Sequence, residues 1–478
     1  MAIKDIREFI EVLDANQELQ RVDQEVDWNL EVGAITRRCC EISAPSPLFT
    51  RIKDYPGGRI FANPLAKWSR VALAMGLDAK ASPVDLIKEF ARRSESPIKP
   101  VIVSDGPCKE VKQMGDEVDL EALPAPFIHQ GDGGRYLGTW HFLVNKAPDS
   151  DWVNWGMYRH MVHDKKTLGC LMIPGQDGPL IYYQKYESRN RPMEFATVIG
   201  PDPVSAMVAC NPVGFGVSEV DIAGGVLQQP VELVKCETVD LYVPARAEII
   251  IEGIVEPHER REEGPFGEYT GYMAGGRDLR PVLHVQAVTH RKDPILTMSN
   301  MGTPVDDSDI ANSLGFSALI TRELAKKGLP IRDVAYFTPE CSLNVVVVST
   351  KVPYAGIARQ IASAIWADKA GVYIPYIIVC NDDVDPTNLE QVMHALTTKC
   401  HPKNGIVTVP NVPSHPLVPF LTPHERENLI AHACLFDCTW PKDWPDEAIP
   451  SRVSFESNYP KEVQEKVIGN WSKYGFKE

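Results

Sequence analysis

Apolar residues at Ile3, Ile6, Phe9, Ile10 and Leu13 recur every three or four positions, which predicts an amphipathic helix over residues 3–14. A second helix is expected over 83–94, where Ser82 can cap, Pro83 fits the first turn and Asp85 faces the positive end. Short β-like pieces such as "GGRIFANP" lie between them, so the first part of the chain reads as α+β, leaving through the proline-rich "PIKPVIVSDGP". From about 115 to 300 the period shortens. The runs "TWHFLVNKA", "VNWGMYRHMV", "LIYYQKY", "EFATVIG", "AEIIIEGIV" and "VLHVQAVTH" are β-branched and aromatic, separated by Gly, Pro, Asp and Asn. Many short strands of this kind predict a barrel or sandwich-like sheet. After 300, helical stretches near 308–327, 354–368 and 387–400 alternate with the strands "LNVVVVSTKV" and "YIPYIIVCN". That alternation predicts an α/β region with a largely parallel sheet, followed by an amphipathic terminal helix in "YPKEVQEKVIGNWSKYGF".

With 478 residues, 44% of them hydrophobic, the chain has material for two or three domains. A formal net charge of −15 argues against a nucleic-acid partner, which would call for a basic surface. The segment "MAIKDIREFIEVLD" has no apolar signal region, and the longest apolar runs, such as "VVVV" at 345–348, are too short to span a membrane. Eleven cysteines without an export signal point to reduced thiols in a cytoplasmic protein. Cys39 and Cys40 are adjacent, and Cys434 and Cys438 would share a helical face; neither pair has zinc-site spacing.

Four stretches have chemical potential. In "EEGPFGEYTGY", 262–272, Glu263 and Glu268 flank a Gly-Pro-Phe-Gly sequence that must turn tightly. An acid there, close to Phe266 or Tyr269, could hold a proton near neutral pH and act as a general acid; the same spacing suits two solvated loop glutamates. In "NWGMYRHMV" a strand would place Arg159 on one face with Trp155 and Met157, where a guanidinium needs an anionic partner, either a bound carboxylate or a core ion pair. "CNPVGFGVSEVDIAGG", 210–225, reads as a glycine-rich hairpin or as backbone that a flat ligand can approach, with Glu219 as a hard oxygen donor. "NDDVDP", 381–386, sits where carboxylates cap a following helix.

Taken together, these stretches resemble the UbiD-like family of reversible prenylated-FMN-dependent decarboxylases. The likeness runs through "EVDIAGG", "DLYVPARAEIIIEGIV", "VDDSDIANSLG" and "NDDVDPTNLEQV" as well, over essentially the whole chain. It implies an α/β and α+β multidomain fold: an N-terminal α+β domain (1–112), a central split β-barrel flavin-binding domain (113–303) and a C-terminal α/β oligomerisation domain with a terminal helix (304–478). It implies Arg159, Glu263 and Glu268 as the catalytic triad, with Arg159 orienting the substrate carboxylate, Glu263 holding the guanidinium and Glu268 delivering the proton. Asn154, Trp155, Met157, Tyr158, Arg159, Asn211, Pro212 and Glu219 would surround the cofactor. A divalent cation (Mn2+ or Mg2+) and K+ would bridge its phosphate through Asn154 and Glu219. The family's third ligand, a histidine, is absent, and its place falls on Asp177 or Gly178.

The activity so implied is reversible, non-oxidative decarboxylation of an aromatic, heteroaromatic or α,β-unsaturated acid through a covalent flavin–substrate adduct, loss of CO2 and protonation by a glutamic acid. The implied partners are the acid and CO2, a flavin prenyltransferase that supplies the cofactor, and further copies of the chain in a homodimer or homohexamer. The alternative is a non-catalytic cofactor-binding or assembly subunit of a UbiD-like carboxylase complex, which the intact triad disfavours. No GxGxxG fingerprint supports an ordinary flavin redox enzyme.

Overall fold

A computed structural model describes residues 3–477. Met1, Ala2 and Glu478, which belong to the terminal segments read above, lie outside the described residues. The chain is a mixed α/β multidomain protein. Its first helix, Ile6–Ala15, begins where the Asp5 carboxylate accepts the Arg7 and Glu8 amides, and buries Ile6, Phe9, Ile10 and Leu13. The second anticipated helix spans Pro83–Ser94, with Ser82 accepting the Asp85 amide. The N-terminal sheet has the order Leu19–Val22, Ser46–Phe49, Arg59–Ala62, Ile295–Met298. Its last strand comes from far along the chain and runs parallel to Arg59–Ala62.

The middle of the chain forms a large curled sheet, open at both ends. Eight strands follow one another in the order Tyr136–Gly138, His160–Asp164, Thr167–Cys170, Asp278–His290, Ile249–Glu263, Met193–Ile199, His141–Lys146, Val153–Gly156. A ninth, Val111–Met114, pairs with Asp278–His290. The two longest strands shift register at Glu252/Gly253 and between Val255 and Arg260. Such bulges bend a sheet and increase its twist, which accounts for the curl. At the end of this ladder Glu263 pairs with Asp278, so residues 264–277 are the loop joining the two longest strands.

The C-terminal sheet has the order Ile331–Phe337, Val345–Thr350, Tyr376–Asn381, Ile430–Cys438, Ile406–Pro413. Its three inner strands are parallel and both edge strands antiparallel. The helix Asp307–Lys326 precedes it. That helix shares an apolar core with Pro83–Ser94, through Ile310 and Leu314 on one side and Leu86 and Phe90 on the other. The terminal helix, Lys461–Gly469, buries none of its side chains.

Four local readings change. "LIYYQKY" is helical, within Asp177–Leu180 and Ile181–Tyr186, and not a strand. Residues 157–159 lie between strands, so Arg159 projects from a bend and not from a strand face. "EVDIAGG" is helical, within Glu219–Leu227, and not a hairpin. Cys434 and Cys438 lie on the strand Ile430–Cys438, not on a helix. All eleven cysteines are free thiols, and no described helix is long and apolar enough to cross a membrane.

Candidate active site

The turn Gly264–Gly267 is where the chain's two notable carboxylates converge. Gly264 takes φ +80°, open to glycine and strained for other residues, and its carbonyl lies 2.0 Å from where a Cβ on Gly133 would stand. The turn therefore nests against residues 129–136. The Gly133 amide donates to Pro265 O at 2.7 Å and the Gly267 amide to Asp132 Oδ1 at 3.0 Å. Phe266, fully buried, packs on Tyr136 with ring centroids 4.2 Å apart. Folded this way, the turn brings both glutamates onto Arg159.

Arg159 Nε donates to Glu263 Oε1 at 2.8 Å and Nη2 to Glu263 Oε2 at 2.6 Å, a two-pronged pair, and Tyr136 Oη donates to the same Oε1 at 2.8 Å. Arg159 Nη1 donates to Glu268 Oε1. Glu263 is 1% exposed and Glu268 3%, which removes the reading of solvated loop glutamates. Burial raises the Glu268 carboxyl above its usual range, the Arg159 charge opposes this, and nearby Glu263 adds to it. One guanidinium cannot neutralise two buried carboxylates, so the trio favours keeping a proton on Glu268.

A second polar group gathers around the strand Val153–Gly156. Glu219, 2% exposed, accepts the Trp155 amide at 2.8 Å and is pushed up to about 8 by burial, against that hydrogen bond. Asn154 is buried and donates through Nδ2 to Asn145 Oδ1 at 2.9 Å. Asp177 meets Lys369, whose Nζ donates to Asp177 Oδ2 at 2.5 Å and to Val213 O at 2.8 Å. Lys369 comes from the loop before the strand Tyr376–Asn381, in the C-terminal region. It acts on the Glu219 carboxyl as a cation and Asp177 acts as an anion, so these three side chains form one charged neighbourhood. Hard oxygens of Asn154, Asp177 and Glu219, with Glu219 short of a counter-charge, suit a hard cation. The Lys369 ammonium suits an anionic phosphate. Among the described residues no three His, Cys, Asp or Glu side chains are arranged as a metal cluster, so the group is two carboxylates, an amide and a lysine.

Several expected cofactor neighbours have other duties. The Trp155 ring stacks on Phe142 in the core, centroids 4.4 Å apart. Tyr158 Oη is committed to the Gly178 amide at 3.0 Å. Asn211 Nδ2 donates to Met207 O at 2.7 Å and Ala311 O at 2.9 Å, tying two helices together, while its Oδ1 is buried without a partner. Met157 packs half-buried against the core, and Pro212 lies beside Val213, the carbonyl that Lys369 reaches. Sequence reasoning missed His129, Asp132, Tyr136 and Lys369. The glycine-rich "HQGDGG" at 129–134 was the one signal that this segment approaches another closely.

The whole chain matches a known family in sequence and in fold. The UbiD N-terminal, Rift-related and C-terminal domain models, each described for 3-octaprenyl-4-hydroxybenzoate carboxy-lyase, match residues 10–90, 99–304 and 313–438. The chain is 34% identical to the pyrrole-2-carboxylic acid decarboxylase of Pseudomonas aeruginosa, over 99% of this chain and 98% of that one. The closed form of the vanillic acid decarboxylase of Sedimentibacter hydroxybenzoicus superposes with a TM-score of 0.90 at 30% identity, over 99% of this chain and 100% of that one. An evolved dimeric UbiD-class enzyme from Pelotomaculum thermopropionicum, solved with prFMN, superposes with a TM-score of 0.78 at 28% identity, over 94% and 97% of the two chains.

Proposed function

We propose that this chain, which belongs to the UbiD family of carboxy-lyases, decarboxylates an aromatic or heteroaromatic carboxylic acid with prenylated FMN as cofactor. The observation that carries the reading is the buried Arg159–Glu263–Glu268 trio. Arg159 has five N–H donors, of which the glutamates engage three, so two remain for a substrate carboxylate. Glu263, itself held by the Tyr136 hydroxyl, fixes the guanidinium plane. Glu268, kept protonated by burial, donates to the carbon that has lost CO2: the C–C bond breaks, its electron pair stays on the carbon, and a C–H bond forms there. Glu268 then regains its proton from solvent.

Asn154, Asp177 and Glu219 would hold the divalent cation and K+, and Lys369 the phosphate of the flavin. When bound, that flavin would supply the electron sink that no side chain offers to the pair left on an sp² carbon. We assign the cofactor to the central unit, 113–303, closed by the C-terminal unit, 304–478, and backed by 1–112. The exposed Phe455, Tyr459, Ile468 and Trp471 support a homo-oligomer built through the terminal segment, which sedimentation would measure.

The test is co-expression with a flavin prenyltransferase, mass spectrometry of the extracted cofactor, and CO2 release from a panel of acids. Prenylated flavin and release from an aromatic acid are expected. Only unmodified FMN, or no release by loaded protein, would overturn the reading.

A further inference from the structure

The residue after the candidate acid, Tyr269, reaches out of the central sheet to the C-terminal region: its hydroxyl lies 3.0 Å from His415 Nε2. The Tyr373 ring stands edge-on to His415 with centroids 6.0 Å apart. Tyr373 Oη in turn lies 2.3 Å from where a Cβ on Gly175 would stand, beside Gln176. Residues from four separate stretches are thus linked in a chain that starts at Tyr269, next to Glu268.

We propose that Tyr269, His415 and Gln176 are the specificity determinants of this site, selecting an aromatic acid whose ring carries an N–H or O–H donor over a same-shaped ring that lacks one. This rests on the decarboxylase reading above. Three observations carry it.

Tyr269 and His415 are half-buried, so part of each ring is open to a ligand. Burial alone, with no charged group contributing, lowers His415 to about 4, so the imidazole is neutral near pH 7. A neutral imidazole and a phenol share one hydrogen bond. Whichever of them donates, the phenol oxygen keeps a lone pair able to accept from a ligand. Finally, Gln176 Oε1 is buried without a hydrogen-bond partner, a second acceptor in want of a donor. The unpaired phenol lone pair and Gln176 Oε1 reject a ring that brings no donor, because these acceptors then stay desolvated and unsatisfied. They also give a second carboxylate no cation to pair with, which disfavours phthalate-type diacids.

The test uses cofactor-loaded protein and matched acids: pyrrole- against furan-2-carboxylate, indole- against benzofuran-3-carboxylate, and 4-hydroxy- against 4-fluorobenzoate. In at least one pair the donor-bearing acid should show about a hundredfold higher kcat/KM. Tyr269→Phe, which keeps the ring, should shrink that ratio by roughly tenfold, and His415→Asn should shrink it independently. CO2 release with no preference in any pair, or a preference that both variants keep in full, overturns the inference and leaves the decarboxylase reading standing. No CO2 release from any acid overturns both.

Discussion

Asp132 holds the Gly267 amide at 3.0 Å and, through the same carboxylate, faces the His129 ring at 3.2 Å. The other ring nitrogen of His129, Nε2, faces Asn300 Oδ1 at 2.8 Å and Met301 O at 2.9 Å. Asn300 Nδ2 is occupied with Gly33 O at 2.7 Å, which fixes its oxygen toward His129. Both ring nitrogens therefore face acceptors, and only the doubly protonated ring satisfies them. Burial works against that charge, but the Asp132 hydrogen bond and charge outweigh it and His129 lies above its ordinary value. The turn that presents Glu268 is thus anchored to an imidazolium–carboxylate pair.

The consequence for pH has a definite sign. A histidine whose folded-state pKa is raised stabilises the fold fully below its unfolded value of about 6.5 and loses that contribution as pH rises through the folded value. Thermal unfolding between pH 6 and 9 should show this alkaline loss in the wild type, and His129→Gln should flatten it. Identical pH profiles for the two proteins would show that His129 does not hold a proton in this role.

Glu268→Gln should lower decarboxylation by about a hundred- to ten-thousand-fold, the usual effect of losing a positioned acid. It should also stop exchange of the product hydrogen with deuterated solvent, which requires the same proton transfer. Flavin content, read by absorbance, should stay near wild type. Wild-type exchange at full flavin occupancy would mean that another group delivers the proton.

Glu263→Gln acts differently, because it takes the charge from the two-pronged pair and leaves Arg159 with Glu268 alone. Removing one partner of a buried ion pair destabilises by about 3–5 kcal/mol, and the amide retained here places the expectation at the lower end. Urea unfolding should register that loss, and KM for the acid should rise as the guanidinium loses its fixed plane. An unchanged urea midpoint would indicate that Glu263 is not the residue that fixes Arg159.

Lys369→Met should weaken FMN by roughly tenfold or more while leaving riboflavin nearly unaffected, since only FMN carries the phosphate that a charge-assisted hydrogen bond can reach. Titration of flavin-free protein by fluorescence quenching distinguishes the two. Equal losses for both flavins would make Lys369 a clasp between regions, acting through Asp177, with no direct part in phosphate binding. Glu219→Gln and Asp177→Asn should each reduce bound metal together with FMN; unchanged metal after Asp177→Asn would exclude Asp177 as a ligand.

The helix start at Pro83 was legible because Ser82 acts on an amide three residues away. The helix Ile6–Ala15 was legible because its apolar residues recur every three or four positions, though its start lies three residues after the expected one. The strand-rich middle was legible because alternation repeats within a few positions. Resemblance to a family picked out Arg159, Glu263 and Glu268 and implied the Arg159–Glu263 pairing, but their burial and the Arg159–Glu268 contact were not readable. The same letters suit a solvated loop until Gly133, Asp132 and Tyr136 close over the turn. Other decisive contacts are remote in the chain: Asp132 reaches Gly267 across 135 positions, Asp177 meets Lys369 across 192, and Tyr269 meets His415 across 146. Helices and strands follow from interactions within a turn or two of backbone, which the order of residues encodes directly. The ionisation of Glu268, Glu219 and His129 depends on which charges and apolar groups folding brings within a few ångströms, and only the tertiary structure decides that.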